Sequence, residues 1–461
     1  MKRLVLIGGL SLGPYAFAFY LQDLRAHTVE FEIAFFAAFA LYIIATVIIL
    51  RDDSHLSHST LYVLFAFAIL FRAILVSTPP TLSDDMYRYV WDGRVQAHGI
   101  NPYAHPPSAT ELQSLRDDAV WSHINRKDAV TVYPAGAEIA YAALWRIMPD
   151  NVRWFQIAAA AGDLLAGVLL VVLLRWLNLP GARALIYLWN PLVIFETAHA
   201  AHVDGIVLPF LVAAFLARVK GRDGWVGAWL GFAAALKLYP LLLLPALWRG
   251  RDDQGRWRAA WRMPLAFVAT FAVLYLPYLG QGAGVVGFLP NYFNERFNMG
   301  FAGIMTDLIE RPPAPVFAAL SQAMNGSAPS LINLSLIVTL LGISGAFILR
   351  PARTAQDSIR RCIFPIGAFT LLTQNLFPWY LLWLAPLVAL FVQRGRFGLR
   401  VDAWTGWFLF TGLVTLAYTF FVEWKPVPWA LYLQFIPLYA LLILPFSANK
   451  IRAWRAQPRE F

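Results

Sequence analysis

Cysteine is almost absent from this chain of 461 residues: Cys362 is the only one, so an internal disulfide is excluded. Charged residues make up 14% of the sequence, against about 25% in ordinary soluble domains. We find no glycine-rich nucleotide-binding loop, no internal repeat and no stretch with the composition of a soluble domain. Instead, the chain is 59% hydrophobic, and apolar runs of membrane-spanning length recur from end to end. This composition predicts an all-α polytopic membrane protein.

The excess of positive charge, formally +10, does not indicate nucleic acid as a partner. Most of the Arg and Lys lie in short loops between apolar runs, which is the pattern of loops on the cytoplasmic side. Lys2-Arg3 therefore places the N-terminus inside, and the first three spans are predicted at about 4–20, 30–50 and 59–77. The first run also fits a signal peptide with Ala16-Phe17-Ala18 as a poor cleavage site, but we expect an uncleaved span.

The apolar segment at 131–148 decides the topology of everything after it. As a span, it would place Arg175, Arg183 and the basic residues near 220 outside, against the charge rule. Glu138 and Arg146 are also poor residues for a span. We therefore expect an interfacial or re-entrant helix on the outer side, within an extracytoplasmic loop at 78–153.

The remaining spans follow the same alternation of loops. They are predicted at about 154–176, 183–200, 203–219, a broken pair within 224–248, then 263–280, 331–349, a broken pair within 362–393, 403–422 and 428–447. The expected total is about 12–14 spans in a single membrane domain over 1–461. Its parts are the N-terminal spans 1–77, the loop 78–153, the core spans 154–280, a second outer loop 281–329 and the C-terminal spans 330–461.

One polar stretch, Ser83 to Pro106, stands out among these apolar runs. Asp85, Tyr89 and Asp92 share one face of a predicted helix, because they are spaced at i, i+4 and i+7. Ser83 suits the N-cap, and Gly99 suits the C-terminal end. The adjacent acids Asp84 and Asp85 can also serve only to start this helix, and this alternative stays open.

Other polar residues gather at the outer boundary under the same topology. They are Glu196, His199, His202, Asp204, Lys237, Arg296, Gln374 and Asn375. Ionisable groups at membrane depth cost about 2.5–3.5 kcal/mol on insertion scales, so each is a functional candidate. The set suits group transfer from a lipid-phosphate donor, in which a carboxylate takes a proton from an attacking hydroxyl and cations neutralise the leaving phosphate.

Each candidate also has a structural alternative. His199, His202 and Asp204 could ligate a metal, or they could be interfacial polar residues. Lys237 could extend its amine towards the interface, and the stretch Asn291 to Asn298 could be an ordinary polar loop. Asp163 is expected to pair with another helix.

The polar stretch carries a resemblance to a known family. Its motif is Asp84-Asp85-x-Tyr87-Arg88-Tyr89-x-Trp91-Asp92-Gly93-Arg94-Val95-Gln96, followed by Gly99-Ile100-Asn101-Pro102-Tyr103. This resembles the first outer loop of bacterial polyprenol-phosphate-sugar-dependent glycosyltransferases of the GT-C superfamily, in particular the polyprenol-phosphomannose-dependent mannosyltransferases. Similar motifs follow in similar order: Tyr133-Pro134, Trp189-Asn190-Pro191, His202-Val203-Asp204-Gly205, and Lys237 with Pro240. The likeness covers most of 80–250, although many members of that family reach the loop after one span rather than three.

The resemblance implies an inverting transfer of a hexose, with mannose as the first candidate, onto a hydroxyl of a glycan, glycolipid or protein. The site would face the periplasm or cell exterior of a bacterial inner membrane, and Asp84 or Asp85 would be the catalytic base. A divalent cation stays an open possibility. The residues expected to bind donor or substrate are Arg88, Tyr89, Trp91, Asp92, Arg94, Asn101, Tyr103, Tyr133, Asn190, His202, Asp204, Lys237, Arg296, Asn375 and Trp379.

The alternative class is a polytopic transporter or lipid flippase, in which the same ions would line a pathway. Transporters commonly contain related halves with paired broken helices near the middle of the membrane. The sequence has no such halves, and its polar residues gather towards one side. The pattern therefore favours an enzyme.

Overall fold

The computed structural model describes residues 1–51, 58–248, 261–292, 295–310, 328–396 and 398–456. Within these residues the chain is helical and contains two isolated β-bridges but no strand. The predicted all-α class is therefore confirmed. The division of the chain into spans and outer loops stays a prediction, because the length and composition of a helix do not by themselves position it in a bilayer.

The α-helices are numbered along the chain. They are α1 Lys2–Leu21, α2 Thr28–Arg51, α3 His58–Val76, α4 Asp85–Ala97, α5 Ala135–Ile147, α6 Val152–Trp176, α7 Leu185–Leu188, α8 Pro191–Ile194, α9 Asp204–Val219, α10 Asp223–Leu236, α11 Leu244–Leu247, α12 Arg262–Tyr275, α13 Leu289–Tyr292, α14 Phe301–Glu310, α15 Ala328–Leu349, α16 Ala355–Arg361, α17 Ile363–Leu372, α18 Ala385–Phe391, α19 Ala403–Leu413, α20 Phe420–Glu423 and α21 Pro428–Ala456. Tighter helical segments lie between them at Thr110–Leu115, Trp121–His123, Gly181–Ala184, Tyr239–Leu243, Leu276–Val286, Pro378–Trp383 and Val414–Thr419, and a π-helical turn lies at Phe195–His199.

Seven helices in the described part of the chain are long and apolar enough to cross a membrane. They include α1, α2, α3 and α6, close to the predicted bounds. The others are α12 with its extension to Val286, α15, and α19 with its extension to Glu423. The predicted crossing at 428–447 lies in the long helix α21, of which the part Pro428–Ile443 is a shorter apolar helix. The other predicted crossings lie in shorter or interrupted helices, so the total of 12–14 stays a prediction.

The helix breaks in both predicted broken pairs are confirmed, while the crossings themselves stay a prediction. Helix α10 ends at Leu236, and Lys237 has an extended backbone (φ −156°, ψ 133°) before the Tyr239–Leu243 segment begins. Helix α17 ends at Leu372, and a new helical segment starts at Pro378. In both places a proline lies at the first or second helical position, where its missing N–H is tolerated.

The continuous span predicted at 183–200 is wrong. The chain there forms a tight turn, two four-residue helices and a π-helical turn. Pro191 disfavours a helical conformation at Asn190, which has ψ 117°. The Asn190 side chain instead accepts a hydrogen bond from the Leu192 amide at 3.0 Å, so it caps the start of α8.

Helices α4 and α5 pack against each other in the predicted outer loop. Helix α5 has 13 residues and is too short to cross a bilayer, as predicted for this segment. It packs closely on α4 at Gly93, where an added Cβ would lie 2.7 Å from the Tyr141 carbonyl oxygen. The predicted N-cap is shifted by one residue: Asp84 precedes the helix, and Ser83 Oγ accepts a 3.3 Å hydrogen bond from the Asp85 amide.

A buried ion pair connects two of the predicted spans, α3 and α6. Arg72 Nε of α3 lies 2.5 Å from Asp163 Oδ2 of α6, and both side chains are almost fully buried. Thr197 donates a second hydrogen bond to Asp163 Oδ2 at 2.8 Å. The predicted pairing of Asp163 with another helix is therefore confirmed.

Candidate active site

A cavity of about 790 Å³ lies where the start of α4 meets the break after α10 and the C-terminal helices. Six of the predicted site residues line it: Asp84, Asp85, Arg88, Tyr133, Lys237 and Trp379. Residues from 25 to 424 contribute to its wall, so the fold gathers distant parts of the chain around one space.

The two adjacent acids at the start of α4 have different partners. Arg25, in the turn between α1 and α2, donates to both oxygens of Asp84, at 2.8 and 3.2 Å. Asp85 Oδ1 instead accepts a hydrogen bond from Asn125 Nδ2 at 2.9 Å. Arg88, four residues after Asp84, binds Asp92 instead, so Arg25 is the arginine partner of Asp84. Asp84 is thus held as half of an ion pair, whereas Asp85 keeps an oxygen towards other groups.

A chain of buried polar groups starts at that second oxygen of Asp85. His202 Nε2 lies 3.9 Å from Asp85 Oδ2, and His202 Nδ1 lies 3.1 Å from Glu196 Oε2. The Tyr418 hydroxyl donates to the other oxygen of Glu196 at 2.8 Å. The imidazole also stacks on Trp379, with ring centroids 4.0 Å apart. These contacts fix the imidazole ring beside Asp85.

Lys237 reaches the cavity from the break after α10. Its Nζ lies 2.5 Å from Asp204 Oδ2, while Trp383 Nε1 donates to Asp204 Oδ1 at 2.7 Å. The amine also lies 5.3 Å from the centre of the Tyr380 ring, close enough for a cation–π contact. Asp204 therefore serves Lys237 as counter-ion in this structure.

Arg126 is a cation of the cavity wall that sequence reasoning missed. It forms a bidentate ion pair with Glu295, in which Arg126 Nε lies 2.7 Å from Glu295 Oε1. Glu295 also accepts a hydrogen bond from Asn375 Nδ2 at 3.2 Å. Asn375 thus contacts the partner of Arg126 but does not itself line the cavity. The predicted cation Arg296 is exposed and does not line the cavity either. The polar run Asn125-Arg126-Lys127-Asp128 is the only sequence signal for this position, and it has no helical spacing.

Several motif residues do not line the cavity and instead make contacts within the predicted outer loop 78–153. Trp91 is buried beside Arg94, which donates to Asp117 at 2.6 Å and Asp150 at 2.8 Å. Partial burial raises the pKa of Asp117, but hydrogen bonds from Arg94 and two backbone amides outweigh it and lower that pKa to about 2. The predicted substrate role of Trp91 and Arg94 stays untested.

The tyrosines and Asn101 of the motif form a second supporting group. Tyr89 stacks on Tyr141 with ring centroids 4.6 Å apart, and its hydroxyl accepts from Tyr133 at 3.4 Å. Asn101 Oδ1 accepts from the Tyr103 amide at 3.0 Å, and the Tyr103 hydroxyl donates to the Tyr133 carbonyl at 2.7 Å. These contacts place Tyr133 at the cavity, so the group shapes the wall from behind.

The metal site considered for His199, His202 and Asp204 is wrong, because the three side chains have separate partners. His199 Nε2 accepts from the backbone amide of Thr81 at 3.2 Å, and Asp204 binds Lys237. Within the described residues, no group of three or more His, Cys, Asp or Glu side chains could hold a metal ion. The two carboxylates at the cavity, Asp84 and Asp85, are bound by Arg25 and Asn125, respectively.

One side of the cavity is apolar and reaches the exposed outer surface of the helix bundle. Leu241 and Leu242 contribute from the segment after the α10 break, and Leu336, Ile337 and Leu340 contribute from α15. Leu241 and Ile337 are 48% and 53% exposed, respectively, so the apolar wall continues to the outside of the helix bundle. The polar end, with the acids and cations, is thus joined to an opening suited to a hydrocarbon chain.

Two family models match the chain over this site. Residues 14–249 match the model described as alpha-(1->6)-mannopyranosyltransferase, N-terminal domain, and residues 132–374 match glycosyltransferase family 87. Each match covers more than half of the 461 residues. The resemblance seen in the polar stretch is therefore confirmed. No curated protein matches the chain.

Proposed function

Because the chain belongs to the alpha-(1->6)-mannopyranosyltransferase family and to glycosyltransferase family 87, we propose that it moves a hexose, with mannose as the first candidate, from a polyprenyl-phosphate donor to a hydroxyl acceptor. The chain is a multi-pass membrane glycosyltransferase. We also propose that the transfer from the lipid donor inverts the sugar carbon, and that the site lies on the extracytoplasmic side of a bacterial inner membrane.

One observation carries the choice of donor: a single cavity joins carboxylates, cations and an apolar opening. Asp85, Arg126 and Lys237 line its polar part, and leucines of the α10 break and α15 line its apolar part. A polyprenyl-phosphate sugar has the same order of groups, with a long hydrocarbon chain, an anionic phosphodiester and a polar sugar. A nucleotide sugar would leave the apolar wall without a partner.

Asp85 is the proposed base. Asp84 has both oxygens bound to Arg25, whereas Asp85 accepts one hydrogen bond at Oδ1 and has Oδ2 available to the cavity beside His202. The acceptor oxygen attacks the anomeric carbon as its proton passes to Asp85. The bond between that carbon and the phosphate oxygen breaks on the opposite face, and the phosphate leaves with the electron pair, which inverts the configuration.

The cations of the cavity stabilise the charge that develops on the leaving phosphate. Arg126 and Lys237 come from distant parts of the chain, and folding has paired each with one carboxylate, Glu295 and Asp204. Charge-assisted hydrogen bonds to phosphate oxygens are about twice as strong as neutral ones.

The acceptor would enter at the aromatic end of the cavity. Phe420, Phe421 and Trp424 line this end, and Trp424 is 64% exposed. Flat aromatic faces suit the apolar face of a sugar ring, so a glycan or glycolipid acceptor fits this end better than an extended peptide.

The test is a transfer assay on membranes that contain the parental protein or the Asp85→Asn variant. With radiolabelled polyprenyl-phosphate mannose, we expect label to move from the lipid donor to a product that survives mild acid, in parental membranes only. Labelled polyprenyl-phosphate glucose tests the choice of hexose in the same preparation. Unchanged labelled lipid in both membranes would contradict the proposal, and it is the result that a transporter or flippase predicts.

A further inference from the structure

A buried pair of acids lies behind the cavity, between α4 and α5. Asp92 and Glu138 are 1% and 0% exposed, respectively, and their carboxyl groups lie within hydrogen-bonding reach of each other. Two carboxylates this close cannot both ionise without a large electrostatic cost. Burial raises the pKa of Glu138 well above its ordinary value, and the charge of Asp92 raises it further. The arrangement suits one proton held between the two acids.

Two side-chain hydrogen bonds fix Glu138 in this position. Thr131 Oγ1 donates to Glu138 Oε1 at 2.7 Å, and Gln96 Nε2 donates to Oε2 at 3.0 Å. Gln96 is itself held by the Tyr278 hydroxyl, which donates to its Oε1 at 2.7 Å. The carboxyl group of Glu138 therefore has a defined orientation towards α4.

Arg88 connects this acid pair with the cavity. Its Nε donates to both oxygens of Asp92, at 2.8 and 3.0 Å, and its Nη1 donates to the Ala129 carbonyl at 3.0 Å. Its Nη2 is buried and has no hydrogen-bond partner within the described residues, although Arg88 lines the cavity. A buried donor without an acceptor costs about 1–3 kcal/mol, so this nitrogen is suited to an acceptor oxygen that a ligand supplies.

We propose that Arg88 binds the phosphate of the lipid donor and that Glu138, acting through Asp92, is the positioning residue that holds the guanidinium for it. The inference rests on the proposed lipid-phosphate donor. With one shared proton, the guanidinium and the acid pair are neutral together. With both acids ionised, the same three groups carry a net negative charge beside an anionic substrate, which weakens its binding.

The pH dependence of donor binding therefore reports on Glu138. Three tyrosines face it: Tyr278 through Gln96, and Tyr103 and Tyr141 from the loop itself. Burial raises the pKa of Tyr103 and of Tyr141, so both stay neutral. The charged side chains nearby are Arg88, which binds Asp92, and Arg146, whose charge acts on Tyr278.

The experiment measures binding of polyprenyl-phosphate mannose to the full-length protein in lipid nanodiscs, from about pH 6 to about pH 9.5. This phosphodiester keeps one negative charge over that range, so any change in affinity comes from the protein. We expect the parental affinity to fall on the order of tenfold as the pH rises. Glu138→Gln keeps the size of the side chain and stays neutral, so its affinity should stay near the parental low-pH value throughout.

The matched control is Glu111→Gln, which removes an exposed carboxylate from the same loop and should follow the parental profile. Identical profiles for the parental protein and Glu138→Gln, whether flat or sloping, overturn the role of Glu138. Arg88→Lys keeps the charge but lacks Nη2, so it should weaken donor binding on the order of tenfold and leave binding of polyprenol unchanged. Equal loss for both ligands would assign Arg88 a purely structural role.

A failure of the proposed function gives a different result. The parental protein would then bind polyprenyl-phosphate mannose no more tightly than polyprenol at any pH. That outcome overturns the donor class and the inference with it. Tight donor binding with no effect of Glu138→Gln overturns the inference alone.

Discussion

Neighbouring acids at one helix start hold different positions in this protein. Asp85 is open to the cavity, whereas Asp84 is bound to Arg25 by two hydrogen bonds. We predict that Asp85→Asn lowers kcat for sugar transfer by about 100- to 10,000-fold, the usual contribution of a general base. Asparagine keeps the size and the hydrogen bond with Asn125 in part, so KM and folding should change little. Steady-state kinetics with the lipid donor measure both constants.

Asp84→Asn is the matched control, because it changes the same functional group one residue away. It weakens the contact with Arg25 and should lower kcat far less than Asp85→Asn. If Asp84→Asn gave the larger loss, the base would be Asp84. If neither variant lost more than about tenfold, general-base catalysis by this pair would be wrong.

The sequence could identify the residues of α4 but not their partners. The two acids, Arg88 and Lys237 were visible as polar groups among apolar runs, and all four line the cavity. Arg25 was not visible as a partner, since it precedes Asp84 by 59 positions in a loop with no distinguishing pattern. Side-chain pairing across such separations depends on how helices pack, which spacing along one helix does not encode.

At the scale of helices, α10 and α12 approach each other through glycines. An added Cβ at Gly227 would clash with the Met263 carbonyl oxygen, and one at Gly231 would lie 2.8 Å from that of Phe267. Glycines four residues apart are typical of close helix contacts in membranes. We predict that Gly227→Ala lowers the free energy of unfolding by about 1–3 kcal/mol, measured as a lower melting temperature in detergent.

Gly224→Ala is the control on the same helix, because nothing lies within 4 Å of its added Cβ. Alanine favours helix formation over glycine by about 1 kcal/mol, so this variant should be neutral or slightly more stable. Equal melting temperatures for the two variants would mean that α10 and α12 are not packed through Gly227.

Helix breaks were predictable where proline marked them. The breaks before Tyr239-Pro240 and at Pro378 were both predicted, whereas Asn190-Pro191 was predicted to lie within a span. Hydrophobicity alone could not separate these cases, since the residues at 183–200 are mostly apolar and, apart from Arg183, buried. The interruption depends on Asn190, which replaces a helical hydrogen bond with a side-chain cap.

For the whole molecule, the placement of the basic loops predicts which side of the membrane carries the cavity. We predict that Ser114→Cys, on an exposed part of the 78–153 loop, reacts with a membrane-impermeant thiol reagent on intact spheroplasts. Arg353→Cys, in a predicted inner loop, should react only after the membrane is opened. Both are made in a Cys362→Ser background, and Cys362 is itself fully buried.

The opposite pattern of labelling would place the cavity on the cytoplasmic side and contradict the proposed orientation. Labelling of both positions from outside would contradict the predicted parity of spans. The first three spans and the short helix at α5 were predictable, because length and charge decide them. The number of crossings in the middle of the chain was not, because short helices can end inside the bundle when their polar ends are satisfied there.

Helix α15 gives the cavity wall an unusual position. The cavity is lined by Leu336, Ile337 and Leu340 of this helix. Only 11% of the apolar part of the helix is buried inside the protein, however. Under the proposed function, a donor that enters past α15 would come from the plane of the bilayer rather than from the aqueous phase. Turnover would then follow the mole fraction of donor among the surrounding lipids, so that added inert phospholipid slows the enzyme at a constant bulk donor concentration. The local lipid composition thereby becomes a kinetic variable of this site.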